Sequence, residues 1–249
     1  MPRFFVNPGD WGRDEVVLGR EASHHLLGVL RAGVGDAVAV FDGRGREASG
    51  ELCRVVRGDA VVRVRRRWEE QRPPVRLALW QSVLKGPNMD LVVQKATELG
   101  VSTIVPVIAE RGVVRLEDRR AEERRGKWER IAIGALEQCG SNWLPEIAPV
   151  AGFPEAIRRA ADSGPMILGS LQGNARPLKA VLGNLAASRP ASLGVWIGPE
   201  GDFTAAESEA IVAAGAIPAS FGRRVLRAET AALYALSVMA SEFLAAEGA

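Results

Sequence analysis

The sequence contains few of the residues that build metal sites and disulfide frameworks. Only two of its 249 residues are cysteines and only two are histidines. Cys53 and Cys139 form no CxxC pair, and His24 and His25 are direct neighbours in the chain. These counts and spacings argue against the usual zinc motifs and disulfide scaffolds, so we expect no bound metal.

Long apolar runs are absent as well. Apolar stretches such as residues 77–80 and 195–197 fall far short of the roughly 18 consecutive residues needed to cross a membrane. The N-terminus, Met-Pro-Arg-Phe-Phe-Val-Asn-Pro, has neither the apolar core nor the cleavage site of a secretory signal. We therefore expect a cytoplasmic protein without a membrane partner.

Phosphate-binding motifs are a third absence. The chain contains neither a Walker A pattern nor a GxGxxG fingerprint, which disfavours nucleoside triphosphate and NAD binding. Its content of 47% apolar and 25% charged residues is that of an ordinary globular protein and excludes a disordered chain. The 32 basic residues are almost all arginine, a bias that fits genome base composition and fits anion binding equally well.

The pattern of elements divides the chain near residue 72. Residues 1–72 predict one helix and several short strands separated by glycine-containing turns, which indicates a small antiparallel barrel or sheet. The helix is expected over 21–31 and the strands over 37–41, 47–56 and 60–68. A polar stretch that ends in two prolines, residues 69–74, is interpreted as the linker to a second domain over 73–249.

The last strand of the first domain has one apolar and one cationic face. Val62 and Val64 alternate with Arg63, Arg65 and Arg67, and successive side chains of a strand point to opposite faces. The arginines fit a solvated outer face. They also fit a surface that binds phosphates through salt-sensitive electrostatic contacts, and the sequence leaves both interpretations open.

Strands and helices alternate throughout the second domain. Strands are predicted over 75–84, 103–108, 166–171, 193–197 and 217–221, and helices over 89–99, 119–139, 154–161, 177–187, 204–214 and 228–246. This alternation predicts the α/β class, with a mainly parallel sheet that is covered by helices on both faces. Ligands of such sheets bind at the carboxyl ends of the strands, so the loops that follow the strands are the candidate sites.

A glycine-rich acidic loop, Gly-Pro-Glu-Gly-Asp at residues 198–202, follows the fourth of these strands. Its two glycines allow a tight turn and a close approach to a ligand. Thr204 and Glu207 have the spacing of a capping box that begins the next helix. The loop is either a plain strand-to-helix turn or part of a binding site. Because Glu200 and Asp202 would repel a phosphate at this helix end, a site here favours a cationic or hydroxyl-rich ligand.

Two further loops follow predicted strands. Residues 221–231 alternate apolar residues with arginines up to the start of the last helix. There Glu229 and Thr230 either stabilise the first helical turn through the helix dipole or face a ligand beside Arg227. Residues 168–173 form the third loop. We expect the three loops to meet at one sheet edge and to enclose one small molecule.

Several short motifs occur in an order and at a spacing that resemble one family. They are Gln-Lys-Ala-Thr-Glu-Leu-Gly at 94–100, Glu-Arg at 110–111, Ile-Gly-Pro-Glu-Gly at 197–201 and Arg-Val-Leu-Arg-Ala-Glu-Thr-Ala at 224–231. The N-terminal part adds Arg-Phe-Phe at 3–5, His-His-Leu at 24–26, Val-Leu-Arg at 29–31, Gly-Asp at 35–36 and Phe-Asp-Gly-Arg-Gly at 41–45. Over nearly its whole length the sequence resembles the SPOUT-class RNA methyltransferases, specifically the RsmE family, which methylates N3 of a uridine in 16S ribosomal RNA.

The resemblance implies a fold, an assembly and a ligand. It implies a PUA-like RNA-binding β-barrel over 1–72 and a SPOUT methyltransferase domain with a C-terminal trefoil knot over 73–249. It implies a homodimer that binds 16S ribosomal RNA or the small ribosomal subunit. The cofactor implied is S-adenosylmethionine, held by the three loops.

The resemblance also implies residue roles. The catalytic residues would be Arg227 and Glu229. The cofactor-binding residues would be Leu168, Gly169, Leu171, Ile197, Gly198, Pro199, Glu200, Gly201, Phe221, Gly222, Val225, Leu226, Thr230 and Ala231. The RNA-binding residues would be Arg3, His25, Arg31, Arg44, Lys85, Lys95 and Arg111.

The implied chemistry agrees with the acidic loop, because S-adenosylmethionine carries a sulfonium cation and a ribose diol rather than phosphates. Uridine N3 lies on the pairing edge, so the target base has to be unpaired or turned out of its stack. Arg227 is then expected to stabilise negative charge on the uracil oxygens. The N3 proton passes either to Glu229 or to water.

Three positions depart from the family pattern. Asn88 and Ser141 stand where arginines are expected, which removes two cations, and Asp202 stands where a second glycine is expected. Two other functions remain as alternatives. One is a catalytically silent or retargeted RNA-binding relative of the same fold. The other is a phosphate-binding metabolic enzyme, against which the missing phosphate motifs argue.

Overall fold

The computed structural model describes residues 1–112, 118–161 and 163–244, and it divides the chain into two compact units. The first unit consists of Met1–Arg72 together with Ile133–Leu144, and the second consists of Pro73–Ala132 together with Pro145–Ala249. The expectation from sequence placed only residues 1–72 in the first unit. The additional segment lies far along the chain, and tertiary contacts that no local pattern encodes assign it to this unit.

The first unit is built on a five-stranded sheet. Its strands are β1 (Arg3–Phe5), β2 (Glu15–Val17), β3 (Ala37–Phe41), β4 (Arg46–Val56) and β5 (Asp59–Glu69). Their order in the sheet is β1-β3-β4-β5-β2, with β1 parallel to β3 and the other pairs antiparallel. The three longer strands match the sequence prediction closely. The prediction omitted β1 and β2, because three residues are too few to show a period.

The helical part of the first unit is shorter and less regular than predicted. Instead of one helix over 21–31, α1 (Arg20–His24) continues into a π-helical turn over His25–Val29, and a 3-10 turn spans Pro8–Asp10. Leu26, in the π-helical turn, is fully buried in the apolar core of this unit. The sequence showed the helical segment but not its change of hydrogen-bonding pattern.

A bulge interrupts the alternation of arginines on β5. Ser49 on β4 pairs with Arg66, whereas the next residue, Gly50, pairs with Val64, so Arg65 has no partner directly opposite. An extra residue of this kind shifts the side-chain alternation. Arg66 and Arg67 are consequently both exposed, and the strict alternation expected from the sequence does not extend past the bulge.

In the part of the second unit that the structure describes, there are one eight-stranded sheet and six helices. The strands are β6 (Arg76–Ser82), β7 (Val101–Ile108), β8 (Glu146–Ile147), β9 (Ala151–Gly152), β10 (Met166–Gly169), β11 (Arg176–Pro177), β12 (Ser192–Ile197) and β13 (Ala216–Ser220). The helices are α2 (Gly86–Glu98), α3 (Asp118–Cys139), α4 (Phe153–Ala160), α5 (Leu178–Ala186), α6 (Ala205–Ala213) and α7 (Ala228–Phe243). The last residues of α3 lie in the first unit. Residues 245 and 246, predicted to end the last helix, lie outside the described residues.

The strands of this sheet run parallel, as the alternating pattern predicted. The order is β11-β13-β10-β12-β6-β7-β8, with β9 paired to β7. One face carries stacked Trp80 and Trp196, whose ring centroids are 4.9 Å apart. Residues of α4 and α6, such as Ala156 and Ile211, complete the same core cluster. Helix α7 contacts β6, β12, α2 and α5.

The topology brings three strand ends together. β10 lies between β12 and β13, and all three strands are parallel. Their carboxyl ends, Gly169, Ile197 and Ser220, therefore reach the same edge of the sheet. The loops that follow them begin side by side, which is the arrangement needed for a shared ligand site.

Candidate active site

A cavity of about 430 Å³ lies where the loops after β10, β12 and β13 meet. This is the meeting of three loops that the sequence predicted. The cavity is lined by Asn88, Gly169, Ser170, Leu171, Ile197, Gly198, Pro199, Glu200, Asp202, Phe221, Gly222, Arg224, Val225, Leu226, Arg227, Ala228, Glu229 and Ala231. Most of the predicted cofactor-binding residues, and both predicted catalytic residues, are in this set.

The loop after β12 folds back on itself. A Cβ atom on Gly198 would lie 2.9 Å from Oδ1 of Asp202 and 3.1 Å from the backbone nitrogen of Phe203, so only glycine fits this position without a shift. Asp202 has a φ of 59°, in the left-handed region that aspartate tolerates better than most residues. Its Oδ1 accepts a hydrogen bond of 2.8 Å from the Phe203 nitrogen. Asp202, which stands where the resemblance leads us to expect a glycine, therefore has a backbone conformation typical of glycine.

The loops after β10 and β13 are in close contact. A Cβ atom on Gly169 would lie 2.9 Å from the ring of Phe221 and 3.4 Å from Ile197. The Phe221 ring also packs against Tyr234, with ring centroids 5.7 Å apart. Absence of a side chain at Gly169 thus lets an aromatic ring from the neighbouring loop approach the strand end. Leu171 and Val225 leave large apolar surfaces exposed at this edge.

Arg227 and Glu229 contribute charge to the cavity. Arg227 is the N-cap of α7, has extended backbone and accepts a hydrogen bond of 2.8 Å at its carbonyl from the Ala231 nitrogen. Its side chain is exposed, and within the described part of the chain neither it nor Glu229 forms a side-chain hydrogen bond or ion pair. Both groups are therefore available to a ligand. The structural interpretation of Glu229 as a first-turn helix residue also holds.

Three predicted cofactor residues lie outside the cavity lining. Leu168 is 2% exposed and belongs to the core cluster, because its side chain points to the opposite face from that of its neighbour in the strand. Gly201 lies against Arg111, since a Cβ atom added to the glycine would be 3.3 Å from Cβ of Arg111. Thr230 is exposed on α7, whereas Arg227 and Ala231, four residues apart on one helix face, line the cavity.

Five lining residues were not among those predicted: Asn88, Ser170, Asp202, Arg224 and Ala228. Four of them lie within the predicted loops, next to predicted residues, and only their orientation was missed. Asn88 is different, because it lies in the first turn of α2, more than eighty residues from the nearest of the three loops in sequence. Its place in the cavity depends on sheet order and has no local signal.

The comparison with protein families agrees with this geometry. An RNA methyltransferase domain family matches residues 71–240, and an RNA methyltransferase PUA domain family matches residues 18–59. The first match covers more than half of the chain and includes all three loops. The chain belongs to this RNA methyltransferase family.

Curated relatives match this methyltransferase along nearly all of its length. It is 33% identical to ribosomal RNA small subunit methyltransferase E of Bacillus subtilis, over 96% of this chain and 96% of that protein. It is 31% identical to the Synechocystis protein of the same name, over 94% of this chain and 76% of that protein. The similarity therefore extends across both units.

Solved structures of relatives have the same fold. A Legionella pneumophila protein, solved with bound S-adenosylmethionine, superposes with a TM-score of 0.85 at 32% identity, covering 96% of both chains. Ribosomal RNA small subunit methyltransferase E from Neisseria gonorrhoeae, also bound to S-adenosylmethionine, superposes with a TM-score of 0.84 at 30% identity, covering 97% of both chains.

Among the predicted RNA-binding residues of the first unit, Arg3 is held by contacts within its own unit. Its side chain is 13% exposed and pairs with Glu47 at 3.3 Å. It donates hydrogen bonds to the Leu136 carbonyl at 3.0 Å and to Oδ1 of Asn142 at 2.6 Å, and its guanidinium lies 4.7 Å from the centroid of the Phe41 ring. Since these contacts join β1 to the segment 133–144, we leave Arg3 out of the proposed RNA surface.

The other predicted RNA-binding residues of this unit are exposed. His25 meets the Phe4 ring edge-on, with centroids 5.9 Å apart. Arg31 has a φ of 57°, and the backbone nitrogen of Arg44 donates to Oδ1 of Asp42 at 2.9 Å. All three side chains face solvent and remain predicted RNA contacts.

Two of the arginines on β5 pair with carboxylates of neighbouring strands. Arg63 pairs with Glu15 at 3.2 Å, and Arg65 pairs with Glu51 at 2.6 Å. Hydrogen bonds from Arg54 and Arg63 hold the pKa of Glu15 below its ordinary value. Exposed pairs of this kind contribute little to stability. They favour the interpretation of Arg63 and Arg65 as a solvated face.

The second unit carries the remaining predicted RNA-binding residues. Lys85 is exposed at the N-cap of α2, and Lys95 pairs with Glu98 at 2.8 Å. Arg111 donates a hydrogen bond of 3.3 Å from Nη1 to the Gly201 carbonyl. It therefore contacts the loop after β12, a role that the sequence prediction did not include.

Outside the cavity, the features of interest are metal-binding clusters, membrane-spanning helices and free thiols. Within residues 1–112, 118–161 and 163–244, no group of three or more His, Cys, Asp or Glu residues could hold a metal ion. None of the helices in that same part of the chain is long and apolar enough to span a bilayer. Cys53 and Cys139 are both free thiols.

Proposed function

We propose that this protein transfers a methyl group from S-adenosylmethionine to N3 of a specific uridine in 16S ribosomal RNA. The observation that carries the proposal is the cavity at one sheet edge, built by three loops in a chain of the RNA methyltransferase family. Relatives that share its fold along nearly the whole chain bind S-adenosylmethionine. The small-subunit methyltransferase names of the curated relatives support 16S ribosomal RNA as the substrate.

The lining residues fit this cofactor. A volume of about 430 Å³ is in the range of pockets that enclose one small molecule. Gly169 and Gly198 leave the strand ends without side chains, so backbone groups can approach a ligand closely. Leu171 and Val225 would cover an apolar ring, while Glu200 supplies a carboxylate for a hydroxyl-bearing or cationic group. When bound, S-adenosylmethionine supplies an electrophilic methyl group.

Arg227 is the proposed catalytic cation. Loss of the N3 proton leaves negative charge on a uracil ring, and that charge spreads onto its carbonyl oxygens. The exposed guanidinium at the start of α7, which has no side-chain partner among the described residues, can donate hydrogen bonds to one of these oxygens. Hydrogen-bond donors held in place stabilise a developing negative charge more than water does, because they need no reorganisation during the reaction.

Glu229 and water are the two candidate acceptors for the N3 proton. Glu229 lines the same cavity and is half-buried, which satisfies the first requirement for a general base, proximity. A base turned out of its RNA stack would enter beside it, because N3 is otherwise engaged in pairing. Asn88 and Arg224 stand in the same lining and can bind the base or its backbone.

The finer features of the fold belong to this proposal. We assign to residues 1–72 a PUA-like RNA-binding barrel and to residues 73–249 a SPOUT methyltransferase domain with a C-terminal trefoil knot. The protein would act as a homodimer in the cytoplasm, where ribosomal RNA is found. Its proposed RNA contacts are His25, Arg31, Arg44, Lys85 and Lys95.

The deciding experiment is methylation of ribosomal RNA, and of small subunits, from cells that lack this gene. Mapping of the modified nucleoside is expected to give N3-methyluridine at one site. A methyl group on another atom would overturn the uridine-N3 assignment and leave the methyltransferase class intact. Calorimetric titration with S-adenosylmethionine separates the enzyme from a silent RNA-binding relative, which would bind RNA and no cofactor.

A further inference from the structure

The loop after β12 is held from outside by two residues that follow β7. The Glu110 nitrogen donates a hydrogen bond of 2.8 Å to Oε1 of Glu207. The side chain of Arg111 donates from Nη1 to the Gly201 carbonyl at 3.3 Å. We call Glu110 and Arg111 the post-β7 segment. It contacts the loop at its middle, Gly201, and at the helix that follows it.

These contacts pass over an intervening strand. In the sheet, β6 lies between β7 and β12 and pairs with both. The post-β7 segment therefore crosses the carboxyl end of β6 to reach the loop after β12. Gly201 is packed directly on this segment, since a Cβ there would lie 3.3 Å from Cβ of Arg111 and 3.6 Å from its carbonyl oxygen.

Glu207 does more than cap its own helix. In the capping box its Oε2 accepts a hydrogen bond of 2.9 Å from the Thr204 nitrogen, and the Thr204 hydroxyl accepts one of 3.2 Å from the Glu207 nitrogen. A capping box needs only this one carboxylate oxygen. The other oxygen binds Glu110, and the side chain is buried, with 6% of its surface exposed. A buried carboxylate with both oxygens bonded fixes the groups that it joins.

Two hydrogen bonds within the loop define its internal turn, and the buried ring of Phe203, whose centroid lies 6.2 Å from that of Trp196, packs its end into the core. The Asp202 nitrogen donates to the Pro199 carbonyl at 2.9 Å, and Oδ1 of Asp202 accepts from Phe203. These bonds define the turn but do not set its position relative to the cavity. The bond from Arg111 to Gly201 within the turn, and the bond from Glu110 to Glu207 in the helix after it, hold the loop in position.

We infer that Glu207 and Arg111 are positioning residues for the cofactor, which hold the backbone of residues 198–201 in place at the cavity. This inference rests on the proposed function. Neither side chain lines the cavity, and Arg227 and Glu229 come from another loop. Their loss should weaken cofactor binding and spare the chemical step, because bound cofactor then holds the loop in place.

The test compares Glu207→Gln and Arg111→Ala with the unchanged protein. The glutamine keeps one acceptor but places an amide NH₂ against a backbone N–H. Loss of one charge-assisted hydrogen bond predicts roughly a tenfold rise in Kd and in KM for S-adenosylmethionine. For Glu207→Gln we expect kcat at saturating cofactor to stay within about twofold, since this residue adds no binding that is specific to the transition state. Kd is measured by calorimetry without RNA, which removes any effect of Arg111 on RNA binding.

Three controls separate positioning from general stability. Glu209→Gln changes an exposed carboxylate on the same helix and should leave Kd unchanged. Thr204→Ala removes the hydroxyl cap but keeps the bond from Glu110 to Glu207. It should lower Tm about as much as Glu207→Gln, with a smaller effect on Kd. Arg111→Lys keeps one donor and should recover part of the affinity.

Each outcome decides the question. If the unchanged protein binds S-adenosylmethionine and both variants bind it equally well, the positioning role is wrong and the proposed function stands. If the unchanged protein does not bind it, both fall. A loss of kcat in parallel with Tm, with KM unchanged, would also overturn the inference. Should Glu207→Gln fail to fold, the exposed Arg111 gives the answer alone.

Discussion

The arginines of the first unit and those at the carboxyl edge of the second unit have different surroundings. On β5, Arg63 and Arg65 pair with carboxylates across the sheet, and Arg3 is bonded to four groups within its unit. At the cavity, neither Arg227 nor Glu229 has a side-chain partner among the described residues. Both regions are rich in arginine, but the charges of these three arginines of the first unit already have partners, whereas the charge of Arg227 is available to a ligand.

The role of an arginine in this chain depends on whether its charge already has a partner. A cation that already has a carboxylate partner has exchanged water for that partner and gains little from a further ligand. A cation at a strand end, beside a cavity and without a partner, can still form strong bonds with a ligand. Position at the sheet edge therefore indicates function better than the local density of arginines does.

The sharpest test of this comparison is Arg227→Ala. Removal of one fixed donor from a developing oxyanion costs about 100- to 1,000-fold in rate, and we expect a loss of that size in kcat. Calorimetry should show S-adenosylmethionine affinity largely retained. Arg223→Ala, an exposed neighbour outside the lining, is the matched control. A fully active Arg227→Ala protein would remove this residue from the mechanism.

Arg3→Ala examines the opposite case, a paired arginine. Loss of its ion pair and hydrogen bonds should lower the free energy of unfolding by about 2–3 kcal/mol, measured by urea denaturation. Cofactor affinity should not change, because Arg3 lies in the first unit. Arg20→Ala, at an exposed position, serves as the control. If Arg3→Ala weakened RNA binding without a loss of stability, the structural role would be contradicted.

Gly198→Ala tests the backbone of the cavity. The added Cβ would lie 2.9 Å from Asp202, so the loop must shift. We expect roughly a tenfold loss of S-adenosylmethionine affinity, the effect of about one lost hydrogen bond to the ligand. Gly173→Ala introduces a Cβ with open space around it in the loop after β10 and should bind normally. Equal affinities in the two variants would show that the tight turn is not needed for binding.

Glu137→Gln is expected to give the smallest effect, which is a change in the way stability depends on pH. Burial raises the pKa of Glu137, although a hydrogen bond from the Phe5 nitrogen acts in the other direction. The folded protein thus holds this proton to a higher pH than the unfolded chain does. Stability falls as pH rises from the ordinary carboxyl pKa through the raised one. The variant should flatten this dependence and raise Tm at neutral pH by roughly 2 °C. An unchanged Tm profile against pH, with Glu242→Gln as the control, would refute this.

Much of the fold followed from local patterns. The predicted bounds of α3, α6 and β3 lie within a residue or so of those observed, because each has a clear period and an end signal such as Gly140 or the Thr204 capping box. The capping box itself is confirmed. Strands of two or three residues, such as β1 and β8, are too short to have a period. Partners in the sheet hold them in extended form.

The site was predictable where the loops are contiguous in sequence. Gly198 and Arg227 were identified because a glycine turn or an arginine at a helix start carries a local meaning. Asn88 was not, because its place in the lining depends on how α2 packs against α7 and β7. The structural role of Arg3 was missed for the same reason, since two of its partners, Leu136 and Asn142, lie more than a hundred residues away.

The sequence by itself determined the alternation of strand and helix, the turn-forming glycines and the acidic character of the loop after β12. These are properties of neighbouring residues, fixed by backbone sterics and by side-chain period. Only the tertiary structure decided that three strand ends share one edge, that the post-β7 segment reaches Glu207 and Gly201, and which arginines are paired. Such contacts depend on packing between residues distant in the chain, and no local preference specifies them.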